Sequence, residues 1–224
     1  MVNPTQTQHV TISGHLPRYD LESGGYQKPL GTVGNANLPL HVDGNLSIRD
    51  AFARRISFNG AAINGDVRLE GCSTYAHGNI EFNECQIKGN LYLHKSQGLN
   101  IVVNQTRVDG DIIVDQYGPK EYLKIIGKDI GKIHVSKTYH RILIGNALKG
   151  KKNPEGWEEQ DFHVREIRLS DFEGYLTISG KTIDSVVIEN SRIDVHMDNR
   201  RGIPFSGWEN VLVDDKSDIP SWFR

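Results

Sequence analysis

The chain has 224 residues and a formal net charge of −2, with 26 Lys and Arg against 28 Asp and Glu. Because the charges nearly balance, the composition argues against a basic nucleic-acid-binding protein and against an acidic mimic of DNA. No stretch reaches the roughly 18 consecutive apolar residues that a transmembrane helix needs. The N-terminus lacks a basic start followed by an apolar run, so we expect a cytoplasmic location at synthesis.

The N-terminal segment 1–40 is set apart by its prolines. Four of the eight prolines lie before position 40, and none lies between positions 40 and 118. Proline has no N–H group to donate to a sheet, so it interrupts continuous strand pairing. We therefore predict an irregular N-terminal cap over 1–40, with one short strand at 9–12.

A repeat begins after position 41. Five units read apolar-x-Gly-x-apolar-x-apolar, and their glycines fall at positions 44, 65, 89, 110 and 131, so three of the four intervals are equal. The last unit departs only in its first position. A second short triplet of the form apolar-x-apolar lies about halfway between successive units, and triplets resume after position 165. The units are VDGNLSI (42–48), INGDVRL (63–69), IKGNLYL (87–93), VDGDIIV (108–114) and DIGKIHV (129–135).

These triplets predict an all-β protein. Alternation with period two indicates strands whose flanking residues point inward and whose middle residue points outward. A fixed period of roughly 20 residues with recurrent glycine is typical of a solenoid, although a meander of hairpins is the competing interpretation. We expect a single-stranded β-helix (β-solenoid) of about 20–21 residues per coil. Its predicted segments are coils at 41–144, a surface insertion at 145–165, further coils at 166–213 and a C-terminal tail at 214–224.

Stacked coils would align equivalent side chains in columns. Asn59, Asn83 and Asn104 follow equivalent strands, so we expect an asparagine ladder. The residue after each corner glycine alternates without placing two aspartates next to each other, which avoids stacking like charges. The glycines themselves indicate a positive φ or a close approach of the backbone.

The G-[ND]-L-x-L units of the segment 42–135 resemble those of bacterial β-solenoid repeat proteins of the bactofilin-like and pentapeptide-repeat-like kinds. These families are mostly non-enzymatic scaffolds or interaction proteins. The resemblance implies a solenoid with a structural or protein-binding role.

Candidate reactive groups are few. Cys72 aligns with Ala51 and Ser96, and Cys85 aligns with small corner residues as well, so both thiols are expected to be buried. The nine histidines show no spacing typical of a metal site. We therefore nominate no catalytic residue, no metal ligand and no cofactor.

Outward apolar positions are the main functional signal. On the glycine-led strands Tyr92 and Ile113 point outward, and on the other strands the outward centres run Ser57, Glu81, Val102 and Leu143. Exposed apolar rows mark interfaces or are covered by another part of the chain. Both alternatives stay open, and the cover could be the cap, the insertion or a second subunit. The predicted interface comprises Tyr92, Val102, Ile113, Leu143, Trp157, Trp222 and Phe223.

Three functions are compatible with this pattern. The first is a non-catalytic structural or protein-interaction module, self-associating or bound to a protein partner, as a component of a phage particle (a virion location) or a bacterial scaffold. The second is a carbohydrate-binding or carbohydrate-active β-helix whose glycan face would use Arg68, Glu81, Tyr92 and His134. The third is a proteinaceous inhibitor of a nucleic-acid enzyme.

Overall fold

The fold is described from a computed structural model, which covers residues 10–15, 20–23, 40–53, 55–74, 78–116, 121–145, 163–179, 182–195 and 211–219. Within these residues all regular structure is β, and every strand pairing is parallel. The strands are β1 (Val10–His15), β2 (Asp20–Ser23), β3 (His41–Val42), β4 (Leu46–Ala53), β5 (Arg55–Asn59), β6 (Ala62–Ile63), β7 (Val67–Glu70), β8 (Ser73–Thr74), β9 (Ile80–Asn83), β10 (Gln86–Ile87), β11 (Leu91–His94), β12 (Asn100–Val108), β13 (Ile112–Asp115), β14 (Tyr122–Ser136), β15 (Tyr139–Gly145), β16 (His163–Ser170), β17 (Glu173–Ser179), β18 (Thr182–Glu189), β19 (Arg192–Val195) and β20 (Val211–Val213).

Equivalent strands of successive coils stack on one another, which confirms the predicted β-solenoid. Each strand pairs with the strands about one repeat before and after it, as β11 does with β7 and β13. A hairpin meander would instead pair consecutive strands antiparallel. The long outer surface of the first stack, face A, is built from β4, β7, β11, β13, the end of β14, β16, β18 and β20. The second, face B, is built from β5, β9, the starts of β12 and β14, β15, β17 and β19.

The inward residues of both faces form one continuous aliphatic core. The flanking positions of each triplet, such as Leu91 and Leu93, are almost completely buried. Phe58 and Phe82 come from successive coils, and their rings stack with centroids 5.0 Å apart. Burial of apolar area in every coil supplies the main driving force for stacking.

A left-handed backbone residue directly follows the face A strand in successive described coils, and the first member of this column, Asp50, lies within β4. Their φ values lie between 47° and 63°. The conformation bends the chain away from the strand, and only one residue per coil adopts it at this corner. The residues of this column are Asp50, Gly71, Lys95, Gln116, Lys137, Asp171 and Asn190.

The structure differs from the sequence expectation at two places. Strands β1 and β2 pair in parallel with β4 and β5, so coil structure extends into the segment for which an irregular cap is predicted. Strand β14 runs for 15 residues, and its first part, Tyr122–Ile126, forms a level of face B that the repeat analysis omitted. The coils expected from position 166 begin with β16 at His163, three residues earlier and within the segment 145–165 predicted as an insertion.

Candidate interaction faces

The corner beside face A is held by a ladder of side chains that bind backbone. The N–H of Asp66 donates to Asn45 Oδ1 (2.8 Å), and the N–H of Asn90 donates to Asp66 Oδ1 (2.9 Å). The N–H of Asp111 donates to Asn90 Oδ1 (2.8 Å), and that of Lys132 donates to Asp111 Oδ1 (2.9 Å). Each side-chain oxygen therefore satisfies a backbone donor of the next coil. Asn and Asp serve equally here because both offer an acceptor at the same place.

The same ladder explains the repeated glycines. A Cβ atom on Gly89 would lie 2.4 Å from Asp66 Oδ1, and one on Gly110 would lie 2.4 Å from Asn90 Oδ1. Neither glycine has a positive φ, so of the two predicted reasons for glycine the structure supports the close approach. The glycine of one coil and the Asx residue of the preceding coil form a single packing unit.

Face A carries the row that contains Arg68, Tyr92, Ile113 and His134. Register places these four residues on consecutive coils. The Arg68 guanidinium carbon lies 4.5 Å from the centroid of the Tyr92 ring, and Arg68 Nη2 donates to Asp66 Oδ2 (3.1 Å). His134 Nε2 lies 3.1 Å from Ser170 Oγ. One side of the Tyr92 ring is thus occupied by a cation from its own chain.

Polar pairs also connect neighbouring coils along the edge of face A. Arg49 Nε lies 3.3 Å from Glu70 Oε2, and His94 Nδ1 lies 2.6 Å from Asp115 Oδ1. Each pair joins one coil to the next, because in each case the two residues are register partners on paired strands. Each exposed pair of this kind contributes little to the free energy of unfolding. The charged groups in these pairs nevertheless contact the neighbouring coil.

Glu81 lies on face B, away from the row of Arg68, Tyr92 and His134. It forms an ion pair with Arg55 and accepts a hydrogen bond from Asn79 Nδ2 at 2.8 Å. Burial alone would raise the pKa of this carboxyl, but the hydrogen bonds from Arg55 and Asn79 outweigh burial and lower the pKa. The structure therefore does not bring the four predicted glycan residues together, and it favours the ionised carboxylate of Glu81 over a proton donor.

The two apolar pairs of the predicted interface have different outcomes. Tyr92 and Ile113 are direct neighbours on face A, and both are half-buried. Val102 and Leu143 are also half-buried on face B, but Lys124 lies between them in the register. The expected uninterrupted order was wrong at this point because the level formed by Tyr122–Ile126 was missing from it. Trp157, Trp222 and Phe223 lie outside the described residues.

Sequence reasoning missed a second row on face B. Tyr122, Arg141, Tyr175 and Asp194 are register partners on four successive levels. Tyr175 is 42% exposed, and the Arg141 guanidinium carbon lies 5.8 Å from the centroid of its ring. The available signal was the first letter of the triplet segments RILI and YLTI, but only the middle of each triplet was assigned outward.

The cysteine prediction is confirmed for both residues. Cys72 and Cys85 are buried at corners, and their thiols donate to backbone carbonyls, Cys72 to that of Ile48 and Cys85 to that of Phe58. Burial raises the pKa of both thiols, and that of Cys85 reaches about 11. A protonated, enclosed thiol is a poor nucleophile.

The predicted column of asparagines is present, and a side-chain hydrogen bond joins its first pair. Asn59, Asn83 and Asn104 are register partners, and Asn83 Nδ2 donates to Asn59 Oδ1 at 3.1 Å.

In the part of the chain described here, no group of three or more His, Cys, Asp or Glu residues is arranged to hold a metal ion. Nor do these residues include a helix with the length and apolar character needed to cross a bilayer.

Comparisons with protein-family models, with curated proteins and with solved structures gave no match to this chain.

Proposed function

We propose that the chain is a non-catalytic β-solenoid module that binds protein partners through its long faces, as a part of a larger assembly such as a phage particle or a bacterial scaffold. One observation carries the proposal: many polar side chains at the corner beside face A, along its edge and on face B bind each other or the backbone of adjacent coils. The side-chain ladder from Asn45 to Lys132 and the contacts of Glu81 are examples. Polar side chains that bind neighbouring coils stabilise the stacked solenoid, which supports a structural role over a catalytic one.

The carbohydrate alternative has less support from the same contacts. A sugar ring stacks on the open face of an aromatic side chain, but Arg68 covers one side of Tyr92, the aromatic residue among the four nominated for the glycan face. Paired carboxylates in a glycosidase must converge on one bond, whereas Glu81 stands on a different face from the other nominated residues.

A two-part experiment tests the proposed function. Immobilised protein is used to capture partners from the source cells and particles, with Ile113→Asp (face A) and Leu143→Asp (face B) as variants that alter one face each. We expect a defined protein to be retained by the wild type and lost with one variant only. In parallel, binding and cleavage of a polysaccharide panel are measured. Binding or cleavage that Tyr92→Ala abolishes would overturn the proposal in favour of the carbohydrate function.

A further inference from the structure

We infer that face B is a self-association surface, on which two copies of the chain pack antiparallel across a two-fold axis between the levels of Arg141 and Tyr175. This surface presupposes the interaction role proposed above and names its partner. The row concerned, called the YRYD row, consists of Tyr122, Arg141, Tyr175 and Asp194.

The composition of the YRYD row is that of an interface centre. Tyrosine and arginine are the residue types most enriched where binding energy concentrates. Arg141 is exposed and Tyr175 is 42% exposed. Leu143 and Thr177 form the adjoining row, and each is half-buried. The surface therefore joins accessible aromatic, cationic and aliphatic groups on consecutive coils.

When two copies of the YRYD row face each other in opposite directions, each residue lies opposite a residue that it can bind. A two-fold axis along the strand direction would oppose Arg141 to Tyr175 of the second copy, and Tyr122 to Asp194 of the second copy. The first contact is a cation–π pair that adds to the one each Arg141 already makes with Tyr175 of its own chain. The second joins a phenolic O–H donor to a carboxylate acceptor. A parallel arrangement would instead oppose Arg141 to itself, which like-charge repulsion disfavours. Self-complementarity of this kind is the condition for a closed dimer.

The size of the surface sets the expected strength. Four levels at about 4.8 Å each span roughly 19 Å. Small interfaces are weak and transient, so we expect dissociation in the range of about 10 to 100 μM. Sedimentation equilibrium over a concentration series up to about 500 μM covers this range.

The test uses the full-length chain and a matched pair of substitutions. Tyr175→Arg would oppose two cations across the axis, and we expect it to weaken dimerisation at least about ten-fold. Tyr92→Arg makes the same change on face A and should leave dimerisation unchanged. The double variant Arg141→Tyr with Tyr175→Arg restores an arginine–tyrosine pair across the axis and should recover dimerisation. If Tyr175→Arg fails to fold, Tyr175→Ser serves in its place.

A wild type that stays monomeric throughout the series would overturn the inference. So would dimerisation that Tyr92→Arg disrupts and Tyr175→Arg does not, or a double variant no better than Tyr175→Arg alone. None of these results decides the proposed function, which is tested by capture of a protein other than a second copy of the chain, with Ile113→Asp on face A as the variant outside the self-association surface.

Discussion

At the residue scale, the side-chain oxygen of the Asx residue in one coil occupies the space that a Cβ atom on the corner glycine of the next coil would need. Gly89→Ala would place Cβ 2.4 Å from Asp66 Oδ1 and 2.7 Å from the carbonyl carbon of Gly65. Backbone cannot yield as a flexible side chain can, so we expect a loss of about 3 kcal/mol in the free energy of unfolding. Urea denaturation measures the loss. The exposed neighbour substitution Lys88→Ala should change stability by less than about 0.5 kcal/mol, and equal stability of the two variants would contradict the clash.

Lys95 shows a second constraint that acts on one residue. Its φ is 48° and its side chain is exposed, so the backbone conformation alone decides which residue is preferred. We expect Lys95→Gly to be more stable than Lys95→Val by about 2 kcal/mol, since β-branched residues fit the left-handed region poorly.

The order should reverse at Tyr92, a strand position, where Val is preferred to Gly. Thermal unfolding of the four variants provides the comparison. If the Val variant were more stable than the Gly variant at Lys95 as well as at Tyr92, the left-handed corner would not constrain residue choice.

Glu81 gives the solenoid a dependence on acid. Its pKa is lowered from the ordinary value of 4.5, so its stabilising contribution is present above pH 4.5 and is lost as the pH falls through the folded-state value. Glu81→Gln should therefore lower Tm at neutral pH, and the difference from the wild type should shrink as the pH falls below that ordinary value.

Thermal scans across about pH 3 to 7, with Glu173→Gln as a control at an exposed carboxylate, provide the test. A constant difference in Tm over the whole range would show that the ion pair with Arg55 does not act through the charge of Glu81.

At the scale of elements, strands bounded by a corner were predicted in full, and the strand that runs through a corner was predicted only in part. Period-two alternation identified β7, β11 and β13, because a polar corner separates each from its neighbours. Strand β14 passes from face B to face A through 15 residues. Its first level carries the apolar-x-apolar triplet Leu123, Lys124 and Ile125, which the predicted repeat left out. The omission carried over to face B, where Lys124 separates Val102 from Leu143.

Contacts along the rod were only partly accessible from the sequence. The alternation of Asn and Asp after each glycine predicted stacking without like-charge repulsion. It could not show that the side-chain oxygens accept from backbone N–H groups, or that they occupy the position of a glycine Cβ. The sequence did not reveal the YRYD row, because its members come just before each triplet. At that position, alternation alone does not distinguish a corner residue from one that points outward.

At the scale of the whole molecule, the repeat predicts that a complete coil can be removed. Deleting the segment 90–110 joins Gly89 to Asp111, and deleting the segment 111–131 joins Gly110 to Lys132. Both deletions remove one whole repeat and preserve the corner register, because the corner glycines occupy equivalent positions. Since each coil contacts mainly its neighbours, circular dichroism should show both shortened proteins folded as β-sheet.

The two deletions should differ in stability for an electrostatic reason. Removal of 90–110 stacks Asp66 on Asp111, whereas removal of 111–131 stacks Asn90 on Lys132. Like charges at strand spacing cost about 0.2–1 kcal/mol, so the first deletion should melt at the lower temperature. Adding Asp66→Asn to it should recover most of the difference, because the amide keeps the acceptor that the next backbone N–H requires. Equal melting temperatures for the two deletions, or no gain from Asp66→Asn, would show that side chains stacked between coils do not govern how well one coil replaces another.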